Sequence, residues 1–166
     1  MAAHDIPAAL RVAVSDKVEA CYALAEHALS RTFPLPAITF RRSGKNAGTA
    51  FLQQNRINFH PVLLKENQAA FFSDVIPHEV SHLLVWQCFG KVRPHGKEWQ
   101  AMMRDIFGCT PSTTHSFSTQ SLGIKGFSYR CACEGTITLS TRRHNTIQRG
   151  GKYRCGRCHT VLTPVA

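Results

Sequence analysis

Two groups of residues in the 166-residue chain have the types and spacing that hold metal ions. The first is His78-Glu79-Val80-Ser81-His82, an H-E-x-x-H segment. On a helix, histidines at i and i+4 project from one face, one turn apart, and both imidazoles reach a single ion. Glu79 follows the first histidine directly, so its carboxylate addresses an open metal position rather than the metal. Zinc lowers the pKa of a bound water toward ~7, and a neighbouring carboxylate then takes its proton, which suits attack on a peptide carbonyl. The plainer alternative is a pair of helix-surface histidines with an acid between them. Apolar Val75, Leu83, Val85, Trp86 and Phe89 instead predict a largely buried helix. Two neutral imidazoles and a carboxyl group buried there need polar partners, and a cation supplies them.

A catalytic zinc takes a third protein ligand and keeps one position open. His95, Glu98, Asp105 and His115 are the downstream candidates. From His82 the helix runs on for ~10 Å before Gly90 turns it, and the five-residue connection to His95 spans up to ~17 Å. That reach brings His95 back beside His82, at the start of a returning helix. Glu98, one turn further on, is the alternative ligand. Trp99, Met103 and Ile106 share a face and read as core packing.

The second group is Cys131-Ala132-Cys133 and Cys155-Gly156-Arg157-Cys158, two close pairs separated by 21 residues. Four thiolates make a closed tetrahedral site, which is structural zinc. His144 or His159 could replace one thiol, and disulfide pairing is the competing reading. Alternating Thr136-Ile137-Thr138-Leu139-Ser140 between the pairs predicts a strand of a β-rich zinc ribbon, too short to fold without its metal. Cys21 fits the apolar stripe of a helix, and Cys88 and Cys109 read as core thiols.

The elements that must position these groups are legible in outline. Residues 7–29 carry Leu10, Val14, Val18, Cys21, Tyr22, Ala25 and Leu29 at helical spacing, and Pro34 and Pro36 stop the helix. Stretches 38–41, 49–52 and 56–59, punctuated by Gly44–Gly48 and Gln54-Asn55, predict a small antiparallel meander. Residues 62–72 are weakly helical; 74–89 and 95–107 are stronger helices, with Gly90 as a C′ cap. The Ser- and Thr-rich stretch 110–121 reads as a linker. The chain is therefore α+β, with a first domain over 1–120 and a ribbon over 121–166.

Composition narrows the function. The chain has 20 Lys+Arg against 10 Asp+Glu, seven cysteines and 43% apolar residues, which excludes wholesale disorder. No apolar run approaches the ~18–20 residues of a membrane span. Met-Ala-Ala-His-Asp-Ile-Pro has no secretory pattern, so a reducing, cytoplasmic setting is expected, with nucleoid association open to it. Residues 1–120 carry a net charge of +3 and residues 121–166 one of +7. Zinc on four thiolates would leave the tail near +5. Arg142, Arg143, Arg149, Arg154 and Arg157 on a small rigid platform, with Tyr153 to stack on a base, point to DNA as a partner.

The motifs in this order resemble the bacterial SprT family, related to the eukaryotic DNA-repair protease Spartan. The resemblance rests on Asn46-Ala47-Gly48-Thr49-Ala50, His60-Pro61-Val62-Leu63-Leu64, the segment Val75–Trp86, Pro94-His95-Gly96-Lys97-Glu98-Trp99, Tyr129–Cys133, Thr141–Asn145 and Tyr153–Cys158. It implies a minimal zincin-like metalloprotease domain followed by a zinc ribbon. It also implies His78, His82 and His95 as zinc ligands, Glu79 as general base, and protein attached to DNA as substrate. The sequence departs from the family at His60, where Asn is expected before Pro61, and at Ser81, where Ala is usual. The expected protein is thus a monomeric zinc endopeptidase with one catalytic and one structural zinc. The rival is a non-catalytic nucleic-acid-binding or stress-associated protein whose H-E-x-x-H metal is structural; such a site has no use for Glu79.

Overall fold

The computed structural model describes residues 5–42, 44–118, 120–122 and 126–165. Thr119 of the expected linker and Lys125 of the basic tail lie outside the described residues. The chain divides into two units, Met1–Leu122 and Gly123–Ala166.

In the first unit, α1 (Ala8–Leu29) buries the stripe Leu10, Val14, Val18, Cys21, Tyr22 and Ala25, while Leu29, its last residue, is exposed. Three short strands follow: β1 (Ala37–Thr39), β2 (Gly48–Phe51) and β3 (Arg56–Phe59). They are not a meander. The order is β1-β3-β2, with β1 parallel and β2 antiparallel to the central β3. Burial and a side-chain clamp account for this. Ile57, Asn58 and Phe59 are all buried, so β3 takes the centre. The amide of Asn58 then accepts from Thr39 Oγ1 (2.9 Å) and Arg41 N (2.8 Å) and donates to Arg41 O (2.9 Å). These bonds hold the β1 segment along the far edge of β3.

After β3, His60 caps α2 (Pro61–Glu66), its imidazole accepting from Leu63 N at 3.4 Å. Histidine thus does the work that Asn does in a helix cap. A short α3 (Gln68–Ala70) runs through a π-helical turn, Phe71–Val75, into α4 (Ile76–Phe89). Val75, at the end of the π-helical turn, and Leu83 and Val85 of α4 are buried as expected, whereas Phe89 at the end of α4 is exposed. Gly90 caps α4 at φ 70°, its N–H bonding Trp86 O at 2.9 Å. The returning helix is shorter than its periodicity predicts. α5 spans Lys97–Ala101 and continues as a π-helical turn, Met102–Ile106. Residues 110–121 are not a free linker: His115 and Phe117 fold back on the first unit, Leu122 is buried, and Arg42 Nη2 donates to Leu122 O at 2.8 Å.

Ser81, completely buried in α4, has an Oγ with no hydrogen-bond partner. A buried hydroxyl without a partner is costly, and Ala is the better helix former. Ser81→Ala is therefore expected to raise unfolding stability by about 1 kcal/mol in urea titrations; an unchanged or lower midpoint would show that Ser81 is hydrogen-bonded in solution.

The second unit has its own sheet, β4 (Gly126–Arg130), β5 (Ile137–Ser140) and β6 (Thr163–Pro164), in the order β5-β4-β6 and antiparallel throughout. Its core is small: Tyr129, Leu139, Cys155 and Leu162. The stretch read as β-rich also contains a helix, α6 (Thr141–Gln148), started by Ser140, whose Oγ accepts from Arg143 N at 3.4 Å. A serine N-cap before a polar run is the signal that the β reading passed over.

Candidate metal centres

Helix α4 presents His78 and His82 one turn apart, and the turn after Gly90 returns His95 to them. Nε2 of His82 lies 3.3 Å from that of His78 and 3.1 Å from that of His95, and the His78–His95 separation is 3.2 Å. Tetrahedral nitrogens at 2.0–2.1 Å from zinc stand about 3.3 Å apart, so the three atoms fit the ion. Four residues offered themselves as third ligand; the structure brings His95 to the pair and leaves Glu98, Asp105 and His115 outside the cluster. His95 does not start the returning helix. It precedes α5 in a turn at φ 57°, its carbonyl accepting from Gln100 Nε2 at 3.1 Å.

Beneath the three rings lies Trp99, fully buried, with ring centroids 4.8, 5.6 and 4.6 Å from His78, His82 and His95. Its Nε1 donates to His78 O at 3.2 Å, which ties α5 to α4. The apolar stripe correctly placed Trp99 in the core, but its position four residues after His95 could have marked it as the floor of the site.

Burial sets the protonation states. It pushes the pKa of His78 down to about 3, helped by the neighbouring imidazoles of His82, His115 and His95. His82 falls to about 4 through burial and the neighbouring His95, and His95 is also lowered by burial. All three rings are therefore neutral at pH 7, the form that binds a cation. Glu79 is buried with Oε1 4.0 Å from His78 Nε2. Burial raises its carboxyl to about 8, against a hydrogen bond from the Ala50 backbone that favours the charged form; an adjacent cation would lower it again.

Gly48 of β2 lies against this carboxyl group. A Cβ there would come within 2.7 Å of Glu79 Cγ and 2.9 Å of Oε1. The sequence showed Gly48 only as a turn residue; its close approach to Glu79 appears once β2 is set beside α4. A cleft of about 580 Å³ opens over the triad, lined by the segment 45–50, by α4, by Pro94 and His95, and by Thr113–His115 and Phe117.

In the second unit the Sγ atoms of Cys131, Cys133, Cys155 and Cys158 all lie within 4.8 Å of one another, with Cys133 and Cys155 at 4.0 Å. Sulfurs at ~2.3 Å from a tetrahedral zinc stand about 3.8 Å apart. Backbone N–H groups of Cys133 and Arg157 point at Cys131 Sγ and Cys155 Sγ, each at 3.4 Å. Crowding by the other sulfurs, Cys158 first, pushes Cys133 up to about 12, while the hydroxyl and N–H of Thr160 pull Cys158 down to about 5. Four sulfurs so close cannot all ionise without a cation, and a cation resolves the conflict. His144 is outside the cluster, stacked on Phe127 at 3.7 Å with Nδ1 2.8 Å from Tyr129 Oη; His159 is also outside it.

Arg142, Arg143, Arg149, Arg154 and Arg157 are all exposed, and among the described residues none forms an ion pair. Arg143 covers the Tyr153 ring, its Cζ 5.6 Å from the centroid. Arg154 Nη1 donates to His159 O at 3.0 Å.

Donor sets of these two kinds, imidazoles in one unit and thiols in the other, define a protein compatible with zinc at two places. The chain belongs to the SprT-like family, which matches residues 18–115. It is 53% identical over 151 residues to the protein SprT of Shewanella oneidensis, covering 90% of this chain and 96% of the relative. The SprT of Vibrio parahaemolyticus is 50% identical over 143 residues, 86% of either chain, and that of Erwinia tasmaniensis 46% over 160 residues, 96% of this chain and 94% of the relative. No solved structure matches the chain significantly. Among the described residues no helix is long and apolar enough to cross a membrane.

Proposed function

We propose that the protein is a zinc-dependent endopeptidase acting on DNA-associated protein, its zincin-like first unit carrying the chemistry and its basic second unit holding DNA. The observation that carries this reading is the convergence of three neutral imidazole nitrogens 3.1–3.3 Å apart beside a buried carboxyl group that is not one of the cluster. A structural metal site needs no such carboxyl.

His78, His82 and His95 would hold the catalytic zinc, and Cys131, Cys133, Cys155 and Cys158 the structural one. Bound zinc supplies Lewis acidity, polarising a carbonyl and bringing a water's pKa toward neutrality. Glu79 then acts as general base at Oε1, taking a proton from the attacking water and delivering it to the leaving amine. Gly48 leaves the space in which its carboxylate sits. Trp99 keeps the three rings in register and closes the floor against solvent.

Five exposed arginines, none in an ion pair among the described residues, support a nucleic-acid contact through phosphates, whose affinity falls steeply with salt. In the decisive assay, zinc-loaded protein is incubated with a protein crosslinked to DNA and with the same protein free. Cleavage is expected to favour the conjugate, to weaken with salt, to stop on chelation and to return with zinc. Equal cleavage of both substrates would remove DNA from the reading, and cleavage of neither would remove the protease.

A further inference from the structure

Helix α4 runs on for about two turns past His82, and its side chains there have no part in holding a metal. Val85 is buried, but Trp86 is only half-buried. Gly90, at φ 70°, turns the chain, and residues 91–94 lead back to His95, with Gly96 N donating to Arg93 O at 3.0 Å. Leu52, which follows β2 and opens a 3₁₀ turn, comes in from the sheet. These pieces enclose a recess of about 60 Å³ whose apolar walls are Leu52, Val85, Trp86, Val92 and Pro94. Leu52, Trp86 and Val92 are each half-buried. Protein interiors are close-packed, yet here large apolar side chains face a hole that the chain leaves unfilled.

The recess adjoins the metal cleft. His82 and His95 line both, and so do Leu52 and Pro94. Trp99, the floor beneath the histidines, lines the recess as well. A peptide whose carbonyl sits at the triad therefore brings a neighbouring side chain to the opening. Size and charge select that side chain. A water's share of the liquid is about 30 Å³, so the space suits the two or three carbons at the end of Val or Leu. A benzene ring takes a cavity on the order of 150 Å³. The lining residues include no Asp or Glu, but they do include exposed Lys91 and Arg93. A lysine or arginine entering would lose hydration, find no counter-charge and meet two like charges.

We propose that this recess is the specificity subsite of the peptidase. It takes one aliphatic side chain of the substrate, close to the bond being cleaved, and rejects Lys, Arg and aromatic residues. Leu52, Trp86 and Val92 set the fit, and Lys91 and Arg93 the charge exclusion. The inference rests on the reading of the histidine site as a peptidase centre and adds which sequence around the scissile bond that centre accepts.

The test incubates the zinc-loaded full chain with a sequence-randomised peptide library tethered to DNA and maps the cleavage sites by mass spectrometry. Residue frequency at each position relative to the cut bond is the readout, and it does not depend on overall rate. One methylene in an apolar pocket is worth about 10–200-fold. Wild type is therefore expected to favour Val and Leu over Gly by at least about 10-fold at one position, and to exclude Lys and Arg there. Val92→Phe fills the recess and should move that position to Ala and Gly, with the other positions as in wild type. The Lys91→Glu/Arg93→Glu double variant should admit Lys and Arg. Val92→Ala, which widens the recess and should admit Met, decides the matter if Val92→Phe fails to fold. A flat wild-type profile, or one that the Val92 variants leave unchanged, would overturn the subsite. Failure of wild type to cleave any peptide in the library would instead bring down the peptidase reading and the subsite with it, a distinguishable result.

Discussion

Glu79→Gln is expected to abolish peptide hydrolysis while leaving both metals bound. Glu79 is absent from the histidine cluster, so its replacement removes no ligand. Gln keeps the volume and an oxygen to accept from the Ala50 backbone, but cannot carry a proton between water and leaving amine. A positioned general acid–base residue contributes 10²–10⁴-fold, and turnover should fall by about that much with zinc content unchanged by elemental analysis. Gly48→Ala gives the steric counterpart. Its new methyl would collide with Cγ and Oε1 of Glu79 and displace the base without altering its chemistry, a misplacement worth about 10²-fold. Full activity in both variants would dismiss Glu79 as the base.

The metal-free protein adds a stability signature. Burial raises the Glu79 carboxyl from 4.5 to about 8, so the folded state binds that proton more tightly than the unfolded chain. Stability from this group is fully present below about 4.5 and is lost as the pH rises through about 8. Gln has nothing to titrate there. The metal-free Gln variant should therefore melt above metal-free wild type at pH 8, with the gap closing near pH 4. A gap that widened toward acid would mean that Glu79 is stabilised as the anion.

Local chemistry was easier to read in the sequence than partners in space. The i, i+4 histidines and the paired cysteines announce themselves because the ligands lie within a turn or a knuckle of chain. The long stripe of α1 was legible for the same reason, since each core residue predicts the next. The order β1-β3-β2 was not legible. It depends on Asn58 binding the backbone near Arg41, an arrangement that strand periodicity does not encode. The segment after Thr110 misled through composition: serines and threonines dominate it, but His115 and Phe117 are the residues that anchor it. Gly48 looked like turn punctuation because its true constraint, the carboxyl group of Glu79, lies on another element. Chain reach brought His95 beside His82 and left Glu98 open as the alternative; the structure groups His95 with His78 and His82, and the helix that follows it starts two residues later than expected.

Removing the cation from the second unit should unfold that unit and leave the first folded. Among the described residues its core holds Tyr129, Leu139, Cys155 and Leu162 as buried apolar residues, and Cys155 is itself a candidate ligand. Chains near ~40 residues seldom bury enough apolar surface to offset the entropy of ordering. For such a unit the binding free energy of a structural zinc is the folding free energy. Cys155→Ser removes a sulfur and a core residue together, so in the full chain amide protection should vanish from β4 and β5 while persisting in α1 and α4. Chelation of wild type should give the same pattern, and zinc should reverse it. The basic surface should go as well, because Arg142 and Arg143 lie on α6 and Arg154 and Arg157 flank or separate the second cysteine pair. DNA affinity of the variant would then drop and the salt slope flatten, since fewer phosphates are neutralised at once. Protection retained in β4 after complete metal loss would show that Tyr129 and Leu139 suffice as a core, and the cysteines would need another explanation.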